Sequence, residues 1–248
     1  SSTASCKPCA TSSERVKLTF ASYNVHKAVG VDRRRDPDRI ISVLREIDAD
    51  IIALQEADLR LGDRASVLPK ALLDDTPWRV IPVAKRPRSI GWHGNALLVR
   101  RTMQVESGQA LDLPTLEPRG AACGHIAVEG RAIRIIGTHL DLSGLRRRDQ
   151  VRSLLKFVRE CEGDCPTVIA GDFNQWGRST GAMREFGDRW TLITPGASFP
   201  SRKPIARLDR LVASDHFRVI ESGTHHTALS AVASDHLPIT AILELPEI

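Results

Sequence analysis

The 248-residue sequence predicts a one-domain α/β sandwich in which strands outnumber helices. Three observations carry that expectation. Apolar runs are short and recur along the whole chain, as strands do. Some neighbouring runs are joined as hairpins and others through helices, so the strand order is mixed. Only a few segments show a helical apolar stripe.

Lys17 to Tyr23 alternates and is predicted as the first strand. Asp36-Pro37 opens a helix, with Asp36 as cap, Pro37 in the first turn, and Ile40, Ile41, Leu44 and Ile47 along one stripe. Ile51 to Leu54 is a short apolar strand. A second helix is expected over Ala65 to Leu73, although Pro69 disfavours its first half. Arg79 to Val83 and Ala96 to Val99 are predicted strands. Val105 to Leu111 and Ala122 to Val128 read as an antiparallel pair, and Ile133 to Gly137 as a buried strand. Leu145 to Glu160 is the longest predicted helix, with Val151, Leu154, Leu155 and Val158 inward. Val168 to Ala170 returns to strand, and Gly171 loosens the backbone before Asp172. Arg207 to Ala213, Phe217 to Ser222 and Ile239 to Leu243 supply the last strands. The Ser/Thr-rich segment 1–14 reads as a disordered leader, and 15–248 as a single domain without internal repeat or linker. The chain opens at Ser1 without a methionine, as a trimmed or tagged chain would.

Hydrophobic residues make up 42% and charged residues 26%, the balance of a soluble globular protein. No apolar run approaches the roughly 18 residues of a membrane span. The net charge is +5, with arginines grouped at 33–35, at 86 and 88, at 100–101 and at 146–148. Such a surface suits phosphate-bearing partners, although each cluster taken alone reads more simply as a solvated face. The five cysteines include Cys6 and Cys9 in the leader, a spacing with no second pair to complete a zinc site. Cys161 and Cys165 flank a helix-to-strand turn and could pair under oxidising conditions, but an odd total argues against a dedicated disulfide framework. A monomer is expected, and a bacterial cytoplasm is favoured over a periplasmic or secreted setting.

Polar groups sit just beyond the apolar runs. Asn24 follows the first strand, Glu56 ends Leu54-Gln55-Glu56, and His139 ends Ile136-Gly137-Thr138-His139. Asp172 and Asn174 end Gly171-Asp172-Phe173-Asn174. Asp209 lies in Leu208-Asp209-Arg210, and Asp235-His236 precede the last strand. Ligands of open α/β sheets gather outside the carboxyl ends of strands, so these groups converge if the ends share an edge. Carboxylates, carboxamides and water suit Mg2+ or Mn2+. Zinc fits less well, because acids outnumber imidazoles. Asp209 and His236 read as a pair in which the carboxylate fixes the imidazole tautomer and supports its charged form. His139 offers a second acid–base group. With Phe173 turned into the fold, Asp172 and Asn174 would point together into the site. Ser214-Asp215-His216 repeats the Ser-Asp-His tripeptide in what reads as a plain turn.

Taken in order, Asn24 in YNVH, Glu56 in LQE, Asn95 in HGNALLVR, His139 in GTHLD, Asp172 and Asn174 in GDFN, Asp209 in LDR and Asp235-His236 in SDHLP resemble the endonuclease/exonuclease/phosphatase superfamily, the deoxyribonuclease I-like fold. The resemblance runs from about Val16 to Leu245. It implies a four-layered α/β sandwich of two packed mixed β-sheets flanked by helices, and a Mg2+- or Mn2+-dependent hydrolase of phosphoester bonds. By that resemblance Glu56 is the principal metal ligand, with Asn24 beside it and Asp235 near that metal or a second. Asp172 and Asn174 orient the attacking water and hold the phosphate. His236, braced by Asp209, acts as base or phosphate stabiliser, and His139 touches the phosphate or helps protonate the leaving oxygen. Asn95 bonds a phosphate oxygen. From the residues themselves, Arg119 and Trp176 are candidates to approach the substrate, with a surface arginine and a loop anchor as the alternative readings. His26 would support the metal cluster from behind.

Departures narrow the substrate. Glu56-Ala57-Asp58 and Thr138-His139 do not match the apurinic endonucleases. Gly94-Asn95-Ala96 and the lack of a Trp before Gly171-Asp172 do not match the inositol polyphosphate 5-phosphatases. The Thr-His strand end is similar to neutral sphingomyelinases, deoxyribonuclease I and small stand-alone bacterial members, and the last are nearest. The expected substrate is a phosphodiester, either nucleic acid or a phospholipid head group or other small phosphodiester. A phosphomonoesterase of the same fold and a non-catalytic phosphate-binding module are the alternatives.

Overall fold

The structure is a computed structural model that describes residues 15–114, 119–161, 163–177 and 179–246. The leader 1–14, with Cys6 and Cys9, lies outside the described residues. Twelve strands form two six-stranded sheets. The first contains β1 (Val16–Asn24), β2 (Ile51–Gln55), β3 (Trp78–Val80), β4 (Ala96–Arg100), β11 (Arg218–Thr224) and β12 (Ile239–Leu245), in the order β11-β12-β1-β2-β4-β3. The second contains β5 (Gln104–Asp112), β6 (Gly120–Val128), β7 (Arg131–His139), β8 (Thr167–Asp172), β9 (Trp190–Ile193) and β10 (Asp209–Ser214), in the order β5-β6-β7-β8-β10-β9.

Alternation in the sequence decides which layer each side chain joins. Ile51 and Ala53 of β2 face the second sheet and, with Leu97 of β4, meet Ile135, Val168 and Leu211 in the central core. Ile52 and Leu54 face outward and pack with Ile40, Ile41 and Leu44 of α1 (Pro37–Ile47) and with Trp78. On the far side, Ile136 and Ile169 meet Val151 and Leu154 of the longest helix (Gly144–Glu160). The result is the expected four layers, helix, sheet, sheet, helix. Asp36 caps α1 as its sequence predicts, its side chain accepting from the Arg39 amide at 3.1 Å.

Four local expectations change. The helix expected over Ala65 to Leu73 is reduced to α2 (Lys70–Asp74), because Pro69 stands before its first residue and Ser66 bridges to Asp58 instead. The strand expected to Val83 stops at Val80, two residues before Pro82, which has no amide to donate. Strand β9 carried too short an apolar run to be predicted. Gly171 has ordinary backbone geometry, and its role is steric: a Cβ there would lie 1.9 Å from the Thr138 carbonyl oxygen on β7. The thiols of Cys161 and Cys165 are free. Ser214-Asp215-His216 is the plain turn between β10 and β11.

Each sheet is antiparallel except for one pair, and those two pairs position the site. β1 runs parallel to β2 with Asn24 opposite Gln55, and β7 runs parallel to β8 with His139 opposite Asp172. Parallel strands bring their carboxyl ends to one edge. The antiparallel neighbours begin there: Asp209 opposes Asp172, Ile239 opposes Ser22, and Ala96 opposes Leu54.

Candidate active site

The edge shared by the four carboxyl ends gathers the polar groups. Asp172 is 2% exposed and stands at their centre. Its Oδ2 accepts from Asn24 Nδ2 at 3.1 Å and lies 3.4 Å from His139 Nε2 and 3.7 Å from His236 Nε2. Its Oδ1 accepts from the Asn174 amide at 2.9 Å. A carboxylate this deep needs partners, and it has them. Phe173 is fully buried against Phe186, which turns Asn174 back toward the edge, where its Nδ2 donates to Leu140 O at 2.8 Å.

Asp209 and His236 form the expected pair. His236 Nδ1 is 2.8 Å from Asp209 Oδ2, which also accepts from the Ser198 hydroxyl, and Phe199 covers the imidazole at 4.9 Å between ring centres. Burial alone would push the His236 pKa down. The carboxylates of Asp209, then Asp172 and Asp235, outweigh it and raise the group to about 10, so the ring is an imidazolium at neutral pH. His139 goes the other way. It too is buried, and desolvation with the positive charge of Arg119 outweighs Asp172 and Glu56, bringing it down to about 4 and leaving it neutral. Two imidazoles near one carboxylate oxygen therefore carry different charges.

Glu56 follows β2 and lines a cavity with Lys27, Asp58, Arg64, His93, Arg119 and His139. The Lys27 ammonium is in direct contact with its Oε2. Burial pushes the Glu56 carboxyl up, but Lys27, with His139 and His26 nearby, holds it below the ordinary glutamate value. Lys27 reaches Glu56 because His26, Lys27 and Ala28 form a left-handed turn, with φ of 46°, 56° and 58°. Side chains with a Cβ resist that conformation at about 1–2 kcal/mol each. Hydrogen bonds hold the turn, from the Ala28 amide to Val25 O at 2.8 Å and from Asp36 N to Ala28 O at 2.8 Å. Glu56, Arg64, His93 and Asn174 are also left-handed, so strain gathers at this edge. Asp235 lies 3.8 Å from His26 Nδ1, which itself bonds Val29 O at 2.9 Å.

Of the residues predicted from sequence, Asn24, His139, Asp172, Asn174, Asp209 and His236 are joined in one network, and Glu56 and Arg119 border it through His139. Asn95 is fully buried, and its Nδ2 donates to Trp92 O at 3.2 Å and Gly120 O at 2.9 Å, so it braces the loop between the two sheets. Trp176 is 65% exposed beyond Asn174. Lys27 and Ser198 were missed. The adjacency of Lys27 to Asn24 in Asn24-Val25-His26-Lys27 was a usable signal, whereas nothing in the sequence marks Ser198.

The donor chemistry fits a hard divalent cation. Lys27 places a positive charge against the Glu56 carboxylate. The cluster of acid and imidazole groups within 4.8 Å of one another among the described residues is Asp172, Asp209 and His236. That cluster is filled by the imidazolium and its two carboxylates, so a cation fits better on the Glu56 side. Mg2+ binds through one or two carboxylates and keeps several waters, so Glu56 and Asp235 need not be close-packed.

Comparison with known proteins agrees with this fold. The model of the endonuclease/exonuclease/phosphatase family matches residues 21–236. The uncharacterized protein YbhP of Escherichia coli (strain K12) is 27% identical over 253 residues, covering 94% of this chain and 98% of YbhP. Among solved structures, an endonuclease/exonuclease/phosphatase from Bacteroides vulgatus superposes with a TM-score of 0.73 at 16% identity, covering 93% of this chain and all of that one. D. rerio TDP2 complexed with single strand DNA product superposes with a TM-score of 0.70 at 16% identity, covering 92% and 98%. At such identities the structural likeness speaks for the fold alone.

Proposed function

The chain belongs to the endonuclease/exonuclease/phosphatase family, whose members are generally phosphoesterase-like hydrolases, and from that premise we propose that it is a divalent-cation-dependent phosphodiesterase. One observation supports the reading most. The line Asp209–His236–Asp172 ends at Asp172 Oδ2, with His236 Nε2 3.7 Å away, too far for a direct bond and close enough to share a substrate oxygen or water.

Phosphoryl transfer to water needs an oriented nucleophile, charge stabilisation on the phosphate and a stabilised leaving oxygen. Asp172 is the acceptor for a proton of the attacking water, fixed by Asn24 and by the Asn174 amide. His236, charged and held by Asp209, donates from Nε2 to a phosphate oxygen. At neutral pH it therefore acts as phosphate stabiliser rather than base. His139, neutral and between Asp172 and Arg119, faces the leaving side. A bound Mg2+ or Mn2+, held by Glu56 with Asn24 and Asp235, would supply Lewis acidity and charge neutralisation. Arg119 offers its guanidinium to the phosphate from the wall of the cavity.

The test is turnover of bis-p-nitrophenyl phosphate, single-stranded DNA, RNA and phosphatidylglycerol with Mg2+, with Mn2+ and with EDTA. Cation-dependent cleavage of at least one diester is expected. Cleavage that persists undiminished in EDTA, or none of any substrate, would refute the proposal.

A further inference from the structure

Soluble proteins scatter exposed apolar side chains singly, and a contiguous group marks a contact surface. Here five of the six large exposed ones among the described residues lie in segments that follow strand ends or border the active edge. Leu61 (82% exposed), Leu142 (75%), Leu145 (75%), Trp176 (65%) and Ile205 (68%) stand out, and only Ile220 (39%) among the described residues lies elsewhere, on β11. All five sit on segments that meet the active edge. Leu61 follows Glu56 beyond β2, Leu142 and Leu145 follow His139 beyond β7, and Trp176 follows Asn174 beyond β8. Ile205 lies in the loop whose Phe199 covers His236, with its amide bonded to Phe199 O at 2.9 Å.

Two of the segments are tied to each other. Arg147 donates to Asp141 O at 3.1 Å and from Nε to Gln175 Oε1 at 3.3 Å, which joins the Leu142 loop to the one bearing Trp176. Basic residues accompany the apolar tips: Arg60 beside Leu61, Arg146 beside Leu145, and Arg202 and Lys203 shortly before Ile205. Arg146, Arg202 and Lys203 pair with no carboxylate among the described residues. Apolar tips flanked by cations are the composition of a membrane-interface contact. The apolar groups leave water for the acyl boundary, and the cations meet anionic headgroups. A nucleic-acid strand is gripped by aromatic platforms instead, and four of these five side chains are aliphatic.

We propose that this rim seats the protein on an anionic phospholipid surface with the active edge facing the headgroups. It rests on the phosphodiesterase reading above and assigns a lipid headgroup as the substrate. The experiment uses the full chain in EDTA, so that binding is read without turnover. Sedimentation is measured with phosphatidylcholine vesicles and with vesicles of about one third phosphatidylglycerol, for wild type and for the triple variant Leu61→Ser, Leu145→Ser, Ile205→Ser. Wild type is expected to bind the anionic vesicles and to be released by salt. The triple variant is expected to lose about tenfold or more in affinity, which corresponds to at least ~1.4 kcal/mol. Its circular dichroism and its hydrolysis of soluble bis-p-nitrophenyl phosphate are expected to match wild type. Wild type that ignores both vesicles, or a triple variant that binds them equally well, overturns the proposal. So does a single-stranded oligonucleotide that binds wild type when vesicles do not. Vesicle binding that behaves as expected while no diester is cleaved leaves the docking surface standing and removes the catalytic reading alone.

Discussion

Replacing Asp209 with Asn isolates the charge that holds His236. The change is nearly isosteric, and Asp209 Oδ1 is buried without a hydrogen-bond partner, so the shape of the site is kept. The His236 pKa stands at about 10 against an ordinary 6.5. Its folded value is the higher, so the stabilisation is complete below about pH 6.5 and disappears as the pH rises through about 10. At 1.36 kcal/mol for each unit, the contribution at neutral pH is at most about 4 kcal/mol, in the ~3–5 kcal/mol range for breaking a buried ion pair. For a chain of this size that lowers Tm by roughly 10 °C. Urea unfolding followed by circular dichroism in EDTA, from about pH 6 to 10, gives the comparison. Wild type should lose stability across that interval while Asp209→Asn stays nearly level, so the two converge at the alkaline end. Tyrosines and cysteines titrate alike in both proteins and cancel in the difference. Parallel curves would refute the pairing. In turnover, Asp209→Asn and His236→Gln should each cost ~10²–10⁴-fold, and the double variant little more than either.

Glu56→Gln keeps the fold and should weaken Mn2+ binding by at least about tenfold, with loss of most turnover. Unchanged Mn2+ affinity by calorimetry would remove Glu56 from the cation site. Gly171→Ala forces a methyl against the Thr138 carbonyl of the paired strand, a backbone atom that cannot step aside. A loss of about 3 kcal/mol or more is expected, because His139 and Asp172 end the two strands involved. An unaltered melting temperature would show that the strands can separate at no cost.

The sheets were legible because continuous apolar runs such as Val168-Ile169-Ala170 have one stable use, burial on both faces. The site was legible because Asp172, Glu56 and His139 each interrupt such a run where a strand must end. What escaped depends on backbone shape. Lys27 meets Glu56 through three successive left-handed residues, none of them glycine, a geometry that local preference disfavours and only the surrounding hydrogen bonds maintain. Ser198 reaches Asp209 from a loop whose path is set by tertiary contact. The helix over-read before Lys70 failed for a simpler reason, since Pro69 and the Ser66 bridge were stronger than the apolar spacing.

The first strand of the first sheet lies beside its last, with Val16 opposite Leu245. A ribosome therefore makes Asn24 and Glu56 long before Asp235 and His236, and β12 must arrive before the half that holds Asn24 is closed. Until then a growing chain has acids without their imidazolium partner and an unguarded β1 edge. His236 joins Asn24 and Glu56 only once the segment leading into β12 has been made, and a chain cut short before β12 leaves the β1 edge open to pair with its neighbours.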